Sequence, residues 1–150
     1  MGTFLMTCPT CGTDRSAAPE RRPRTRSGRT TSFTIGGAGF HLTGNARDDG
    51  GLDEVFARFD DEGSTLAGLL DALSAVTSIG LQHGVPLDVL VEKLINTRYE
   101  PMGRTDDPEI PEASSVMDYT ARRLAFDFMP AEDRIKLGVL TPEERARALG

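Results

Sequence analysis

Long uninterrupted apolar runs are missing from this chain of 150 residues. The longest apolar stretch, Leu66 to Leu81, is broken by Asp71, Ser74, Thr77 and Ser78, so no segment reads as a membrane span. The opening stretch, residues 1–6, is short and carries no basic residue, so it does not read as a secretory leader. The expected location is the cytoplasm, with no membrane attachment. Cysteine is equally scarce. Cys8 and Cys11 are the only two, and no thiol follows them. A disulfide scaffold is therefore excluded, and a chain of this length can bury a core without one. Internal repeats are absent, and no nucleophile–base pair or metal triad stands out, which argues against a self-contained enzyme. The glycine cluster Gly36-Gly37-Ala38-Gly39 lacks the Lys-Ser/Thr of a phosphate loop and opens no helix, so it reads as a hairpin turn.

What is present divides into two parts. Residues 1–29 hold six arginines against Asp14 and Glu20, a balance of +4, whereas residues 30–150 hold 11 basic and 21 acidic side chains, a balance of −10. A basic arm thus precedes an acidic body, and phosphate would be repelled by the body as a whole. Residues 16–29 contain no aliphatic side chain larger than alanine and read as a flexible linker. Residues 1–29 are accordingly taken as a Cys-x-x-Cys knuckle with its linker, and residues 30–150 as the folded domain. Arg21, Arg22, Arg24, Arg26 and Arg29 are the candidate contacts for a polyanion or an acidic partner. No aromatic is interleaved to stack bases, so nucleic acid is the weaker choice of partner. Cys8-Pro9-Thr10-Cys11-Gly12 resembles half of a zinc ribbon. Zinc takes four ligands, so a site shared in a homodimer, a dithiol shuttle and a degenerate remnant all stay open.

The body reads as α+β: a small antiparallel meander of about three strands packed with three to four helices. Thr30 to Ile35 alternates polar and apolar residues, Phe40 to Thr43 reads as the returning strand, and Asp53 to Phe59 places Val55, Ala57 and Phe59 on one face. Ser64 is positioned to cap a helix beginning at Thr65. Leu66, Leu69, Leu70, Leu73 and Val76 follow spacings of three and four and are expected to face inward. Gly84 and Pro86 mark a stop and a new start, followed by the stripe Leu87, Leu90, Val91, Leu94 and Ile95. Residues 101–111 read as a loop. A third helix is expected over residues 112–128, and Thr141-Pro142-Glu143-Glu144 is a capping-box start for a last one. Asp48-Asp49 and Asp106-Asp107 read as turn chemistry, and His83 as a helix C-terminal residue. Arg98, Glu100, Arg122 and Arg123 are expected to form ion pairs that fix the last helices, with a phosphate or a partner carboxylate as the alternative for Arg122-Arg123.

The order of several blocks resembles the TSCPD region near the C-terminus of cobalamin-dependent (class II) ribonucleotide reductases. These are RTTSFTIGGA (Arg29–Ala38), DDGGLDEVF (Asp48–Phe56), GSTLAGLLDA (Gly63–Ala72), GLQHGVPL (Gly80–Leu87), NTRYEPMG (Asn96–Gly103), TDDPEI (Thr105–Ile110), Asp118-Tyr119 and Arg122-Arg123-Leu124-Ala125. The resemblance implies kinship with an enzyme that converts ribonucleotides to deoxyribonucleotides for DNA synthesis with adenosylcobalamin as radical source. That reaction requires a thiyl-forming cysteine, a reducing cysteine pair and a large barrel. The body here contains no cysteine and has no room for the barrel, and the domain's usual Cys-containing signature is not preserved. The resemblance therefore implies an accessory or regulatory piece that partners a large reductase chain and is not expected to bind adenosylcobalamin itself. No catalytic residue is assigned. The alternative is a repurposed binding module that uses the basic arm and Cys8/Cys11.

Overall fold

The computed structural model describes residues 22–150. Three strands, β1 (Gly28–Ile35), β2 (Ala38–Ala46) and β3 (Leu52–Phe59), form an antiparallel sheet in that order. Gly36 and Gly37 join the first two with φ of 57° and 86°. A two-residue turn that matches the sheet twist needs two positive φ values, which glycine adopts without a Cβ clash. The turn sets Ile35 opposite Ala38 and Phe33 opposite Phe40. Phe33, Ile35, Phe40, Leu42, Val55 and Ala57 are consequently buried on one face. The other face is mostly polar, apart from the exposed Phe56 opposite Thr43: Thr30 meets Thr43 at 2.9 Å, and His41 lies 2.9 Å from both Ser32 and Asp60. One-sided burial of this kind is what an antiparallel sheet permits.

Helix α1 (Thr65–Gln82) starts where expected, with the Ser64 Oγ accepting from the Ala67 N–H at 3.2 Å. Its orientation corrects the sequence reading. Of the stripe expected to face inward, only Leu70 is buried; Leu66 is half-buried, while Leu69, Leu73 and Val76 are exposed. The helix instead turns Ser74, Ser78 and Gln82 toward the edge strand β3. The Ser78 hydroxyl accepts from the Val55 N–H at 2.9 Å and donates to the Val55 carbonyl at 3.1 Å, and Ser74 accepts from the Ala57 N–H at 2.9 Å. Gln82 donates to the Asp53 carbonyl at 3.3 Å. Spacings of four place these three side chains in one row. They satisfy an edge that would otherwise present unpaired backbone groups. By length and mean hydropathy of 1.2, α1 matches a bilayer span, but its serine row is hydrogen-bonded into the sheet, which makes it an integral part of the domain.

Helix α2 (Leu87–Leu94) buries Val91 against Ala121, Ala125 and Val139. The segment read as a prolonged loop contains a short ribbon, β4 (Gly103–Arg104) paired with β5 (Glu112–Ala113). It is tied to the end of β1 by the Gly36 N–H bonding the Arg104 carbonyl at 2.9 Å and by an Ile35–Thr105 bridge. Helix α3 (Val116–Phe128) begins four residues later than expected, because Ser115 caps it, accepting from the Asp118 N–H at 2.9 Å. Its Val116, Met117, Tyr119 and Leu124 join the sheet's apolar face, with the Tyr119 ring stacked on Phe33 at 3.7 Å. A short helix that the sequence reading lacked, α4 (Ala131–Lys136), precedes α5 (Pro142–Leu149), so the described residues form five helices. The Thr141/Glu144 capping box on α5 is complete, and Glu144 also holds Arg134 through two bonds of 2.7 and 2.8 Å.

Candidate functional site

The polar chemistry of the described residues concentrates around α3. Asp118 is nearly sealed, at 2% exposure. Its Oδ1 accepts from the Asn96 N–H at 2.7 Å and from Arg122 Nε at 3.0 Å, and its Oδ2 accepts from the Ser114 N–H at 3.1 Å. Arg122 extends to the Asn96 side-chain oxygen at 2.8 Å. Asn96 holds φ of 62°, a left-handed conformation that asparagine tolerates better than most residues. This carboxylate therefore stitches the chain after α2, the chain after β5 and the first turn of α3 into one junction.

Arg123 serves a separate network on the next face of α3. It donates to Asp107 at 3.2 Å, Glu109 at 2.6 Å and Asp127 at 3.0 Å. Tyr119, fully buried, donates its hydroxyl to Asp107 at 2.6 Å. Burial, reinforced by the adjacent Asp107 carboxylate, pushes the Tyr119 hydroxyl well above its ordinary range. Burial alone would raise Asp107, but the Tyr119 hydroxyl, the Glu109 N–H and the Arg123 guanidinium outweigh it and hold this carboxyl below its usual value. The expected ion pairing of Arg122 and Arg123 is present, and the two adjacent residues face different partners, as helical geometry requires. Arg98 and Glu100 take part in no ion pair among the described residues.

Between this junction, the β4–β5 ribbon and α5 lies a groove of about 770 Å³. Arg98, Arg104, Arg122 and Arg145 line it, with Met102, Ile110 and Leu140 among its apolar walls. Sequence reasoning did not identify this groove. Its arginines come from four separate segments, and only the tertiary fold gathers them.

The residues singled out in the basic arm lie elsewhere. Cys8, Cys11 and Arg21 fall outside the described residues. Arg22 pairs with Asp53 at 3.0 Å and with Glu54, Arg26 with Glu54 at 3.3 Å, and Arg29 with Asp127 at 3.5 Å. Arg24 has no ion-pair partner among the described residues. The arm's charge is thus partly spent on the body's own carboxylates. No group of three or more His, Cys, Asp or Glu side chains poised for a metal occurs among the described residues. His83 caps α1, with its Nδ1 2.9 Å from the Ile79 carbonyl. Asp49 and Asp107 accept the backbone N–H groups of Gly51 and Glu109, two residues on, which is turn chemistry, whereas Asp106 accepts the Thr34 N–H of β1 at 2.7 Å, a tertiary bond that the turn reading did not foresee.

A three-stranded sheet sealed on one face by α3 and along one edge by α1, with an arginine-lined groove beside α3, defines the class as an α+β domain. The profile of the TSCPD domain matches residues 14–128, and the chain belongs to that family. It is 52% identical over 130 residues to a protein of Streptantibioticus cattleyicolor named vitamin B12-dependent ribonucleotide reductase, covering 87% of this chain and 22% of that one. Proteins of the same name from Rhodopirellula baltica and Bradyrhizobium diazoefficiens are 43% identical over 114 residues and 36% identical over 126. Those matches cover 76% and 83% of this chain but 11% and 10% of theirs. The chain therefore spans about a fifth or less of the length of these relatives. No solved structure matches it.

The relatives' name refers to vitamin B12, and the described residues do not fit that group. The groove has the volume of an ordinary small-molecule site, whereas a corrin with its nucleotide loop and adenosyl group is far bulkier. The groove is lined by arginines and carboxylates, and neither His41 nor His83 faces it. No step through cobalamin is assigned to this chain.

Proposed function

We propose that this chain is a non-catalytic accessory domain of ribonucleotide reduction, acting in the cytoplasm and seated on a large reductase polypeptide through the exposed face of α1. The observation that carries this reading is a pairing of two facts. Kinship runs through nearly the whole chain at 52% identity yet reaches only 22% of that relative's length, and α1 leaves Leu69, Val76 and Ile79 at 55 to 61% exposure. Asp71 is the one charged residue of this 18-residue helix. At 1.5 Å per residue, Leu69 to Ile79 presents a ridge about 15 Å long. A contiguous apolar ridge of that size, costly to leave in water, is the mark of an interaction surface. The occupant proposed for it is the region of a reductase polypeptide that the relatives carry beyond the matched segment. Radical chemistry, which needs a thiol absent after Cys11, then resides on that larger chain.

Cys8 and Cys11 fit the same reading either as a reducing pair delivered to the catalytic chain or as half of a shared zinc site. Replacing both with serine lowers reductase turnover in the first case and releases zinc without that loss in the second. The polyanion-binding alternative is less favoured, because Arg22, Arg26 and Arg29 already hold internal carboxylates.

The test is affinity purification of the tagged chain from its native host, with co-purifying proteins identified by mass spectrometry. A large B12-dependent reductase chain recovered in fixed ratio, and lost with Leu73→Asp/Val76→Asp, is the expected result. Recovery of nucleic acid or unrelated proteins with no reductase chain would overturn the proposal.

A further inference from the structure

We infer that the groove between α3, α5 and the β4–β5 ribbon is a binding site for a small molecule bearing a pyrophosphate group, as in a nucleoside di- or triphosphate or in inorganic pyrophosphate itself.

The charge arrangement is the first argument. The body of the chain is strongly acidic, with 21 acidic against 11 basic side chains after residue 29, yet four of its arginines line one cavity. They come from the α2–β4 connection (Arg98), β4 (Arg104), α3 (Arg122) and α5 (Arg145). Arg122 is committed to Asp118 and Asn96. Arg98, Arg104 and Arg145 have no carboxylate within ion-pair distance among the described residues, whereas Arg22, Arg26, Arg47, Arg123 and Arg134 all do. Three arginines without an internal carboxylate partner therefore line one space.

The acidic lining of the groove is largely occupied already. Asp118 is saturated by two backbone N–H groups and Arg122, and Glu109 is held by Arg123 at 2.6 Å. Glu112, opposite Arg104 in the ribbon, is the remaining carboxylate on the lining. A ligand entering the groove accordingly meets hydrogen-bond donors more often than acceptors.

Ligand chemistry follows from the donors and the size. A guanidinium offers a planar fork that matches two oxygens of a phosphate. One carboxylate would satisfy one such fork. Adjacent phosphates carry several charges within a short span and offer oxygens to more than one arginine. The volume of about 770 Å³ suits a compact ligand. Met102, 40% exposed, with the half-buried Leu140, supplies apolar wall on which a flat ring can rest. No residue of α1 lines the groove, so the site stands or falls independently of the docking face proposed above.

The experiment is isothermal titration of the full chain with inorganic pyrophosphate, ATP and adenosine at low ionic strength. Pyrophosphate and ATP are expected to saturate a single site, and adenosine to bind at least tenfold more weakly. A tighter ATP isotherm identifies the ring as part of the ligand, and equal isotherms identify the pyrophosphate group as its whole. Arg98→Ala/Arg104→Ala is expected to weaken both anions at least tenfold with an unchanged melting temperature, since neither side chain is buried or paired. Arg58→Ala, an exposed arginine on the solvent face of β3, leaves binding intact, as does Leu73→Asp/Val76→Asp. Absence of saturable binding by either anion would overturn the inference. So would equal losses in Arg58→Ala and the double variant, which would mean diffuse charge attraction, or saturation by an acidic peptide alone.

Discussion

The two longest helices use their side chains in opposite ways. Helix α1 is rich in leucine, alanine and valine, yet buries only Leu70, Ser74, Ser78 and Leu81 of its 18 residues. Helix α3 carries two arginines and two aspartates in 13 residues, yet buries nine of them, including Asp118 and Arg123. Hydrophobic content alone therefore does not decide which helix is central. The sheet edge decides the orientation of α1: β3 offers unpaired N–H and C=O groups, and serine hydroxyls satisfy them where leucines cannot. In α3 the buried charges survive because each has partners. The helix with polar residues is held inside the domain, and the apolar helix is left with a face for something else.

This contrast can be broken in order of expected effect. Asp118→Ala strands Arg122 and two backbone N–H groups in a nearly sealed place. A loss of about 3 to 5 kcal/mol is expected for removing one partner of a buried pair, read by urea denaturation. Ser74→Ala and Ser78→Ala each leave a buried β3 N–H unsatisfied, and each is expected to cost about 1 to 3 kcal/mol in the same assay. Leu73→Asp/Val76→Asp changes two much larger apolar groups but stays within about 1 kcal/mol, as exposed substitutions do. If these leucine and valine changes cost more than the serine changes, the assigned orientation of α1 is wrong.

A smaller effect belongs to the α4–α5 clamp. The bond from Arg134, then the Thr141 N–H, lowers Glu144 to about 2. A carboxylate depressed in the folded state adds stability that is complete above its unfolded value of 4.5 and is lost as pH falls toward the folded value. Acid titration of wild type should therefore show α5 loosening between about pH 4.5 and 2, by amide exchange of residues 142–149. Glu144→Gln should remove that pH dependence. A dependence that persists in the variant would assign it to Asp107 or another carboxylate.

Much of the sheet was legible in the sequence. Alternation in Thr30 to Ile35 and the Gly36-Gly37 pair define a hairpin by local chemistry, and the structure reproduces it. Ser64 and the Thr141/Glu144 box were likewise readable, because caps act over three or four residues. The direction faced by α1 was not, since it depends on an edge strand that lies outside the helix. A signal existed in Ser74, Ser78 and Gln82, spaced by four, which reads as a polar row only once an adjacent sheet edge is known. Helix α4 escaped notice because six residues with Arg134 at the centre carry no apolar periodicity. Its burial follows from Glu144 and from Phe126, whose ring lies 4.8 Å from the Arg134 guanidinium. The arginine groove was invisible for a similar reason: Arg98, Arg104, Arg122 and Arg145 span nearly fifty positions, and no spacing rule connects them.

The most direct test of the central claim is amide hydrogen exchange on this chain with and without the catalytic polypeptide of a B12-dependent reductase. The account predicts new protection of exposed side-chain neighbourhoods along α1, centred on residues 69–79, and its disappearance with Leu73→Asp/Val76→Asp. A complex that protects other segments while leaving α1 unchanged, or no complex at all, would contradict it.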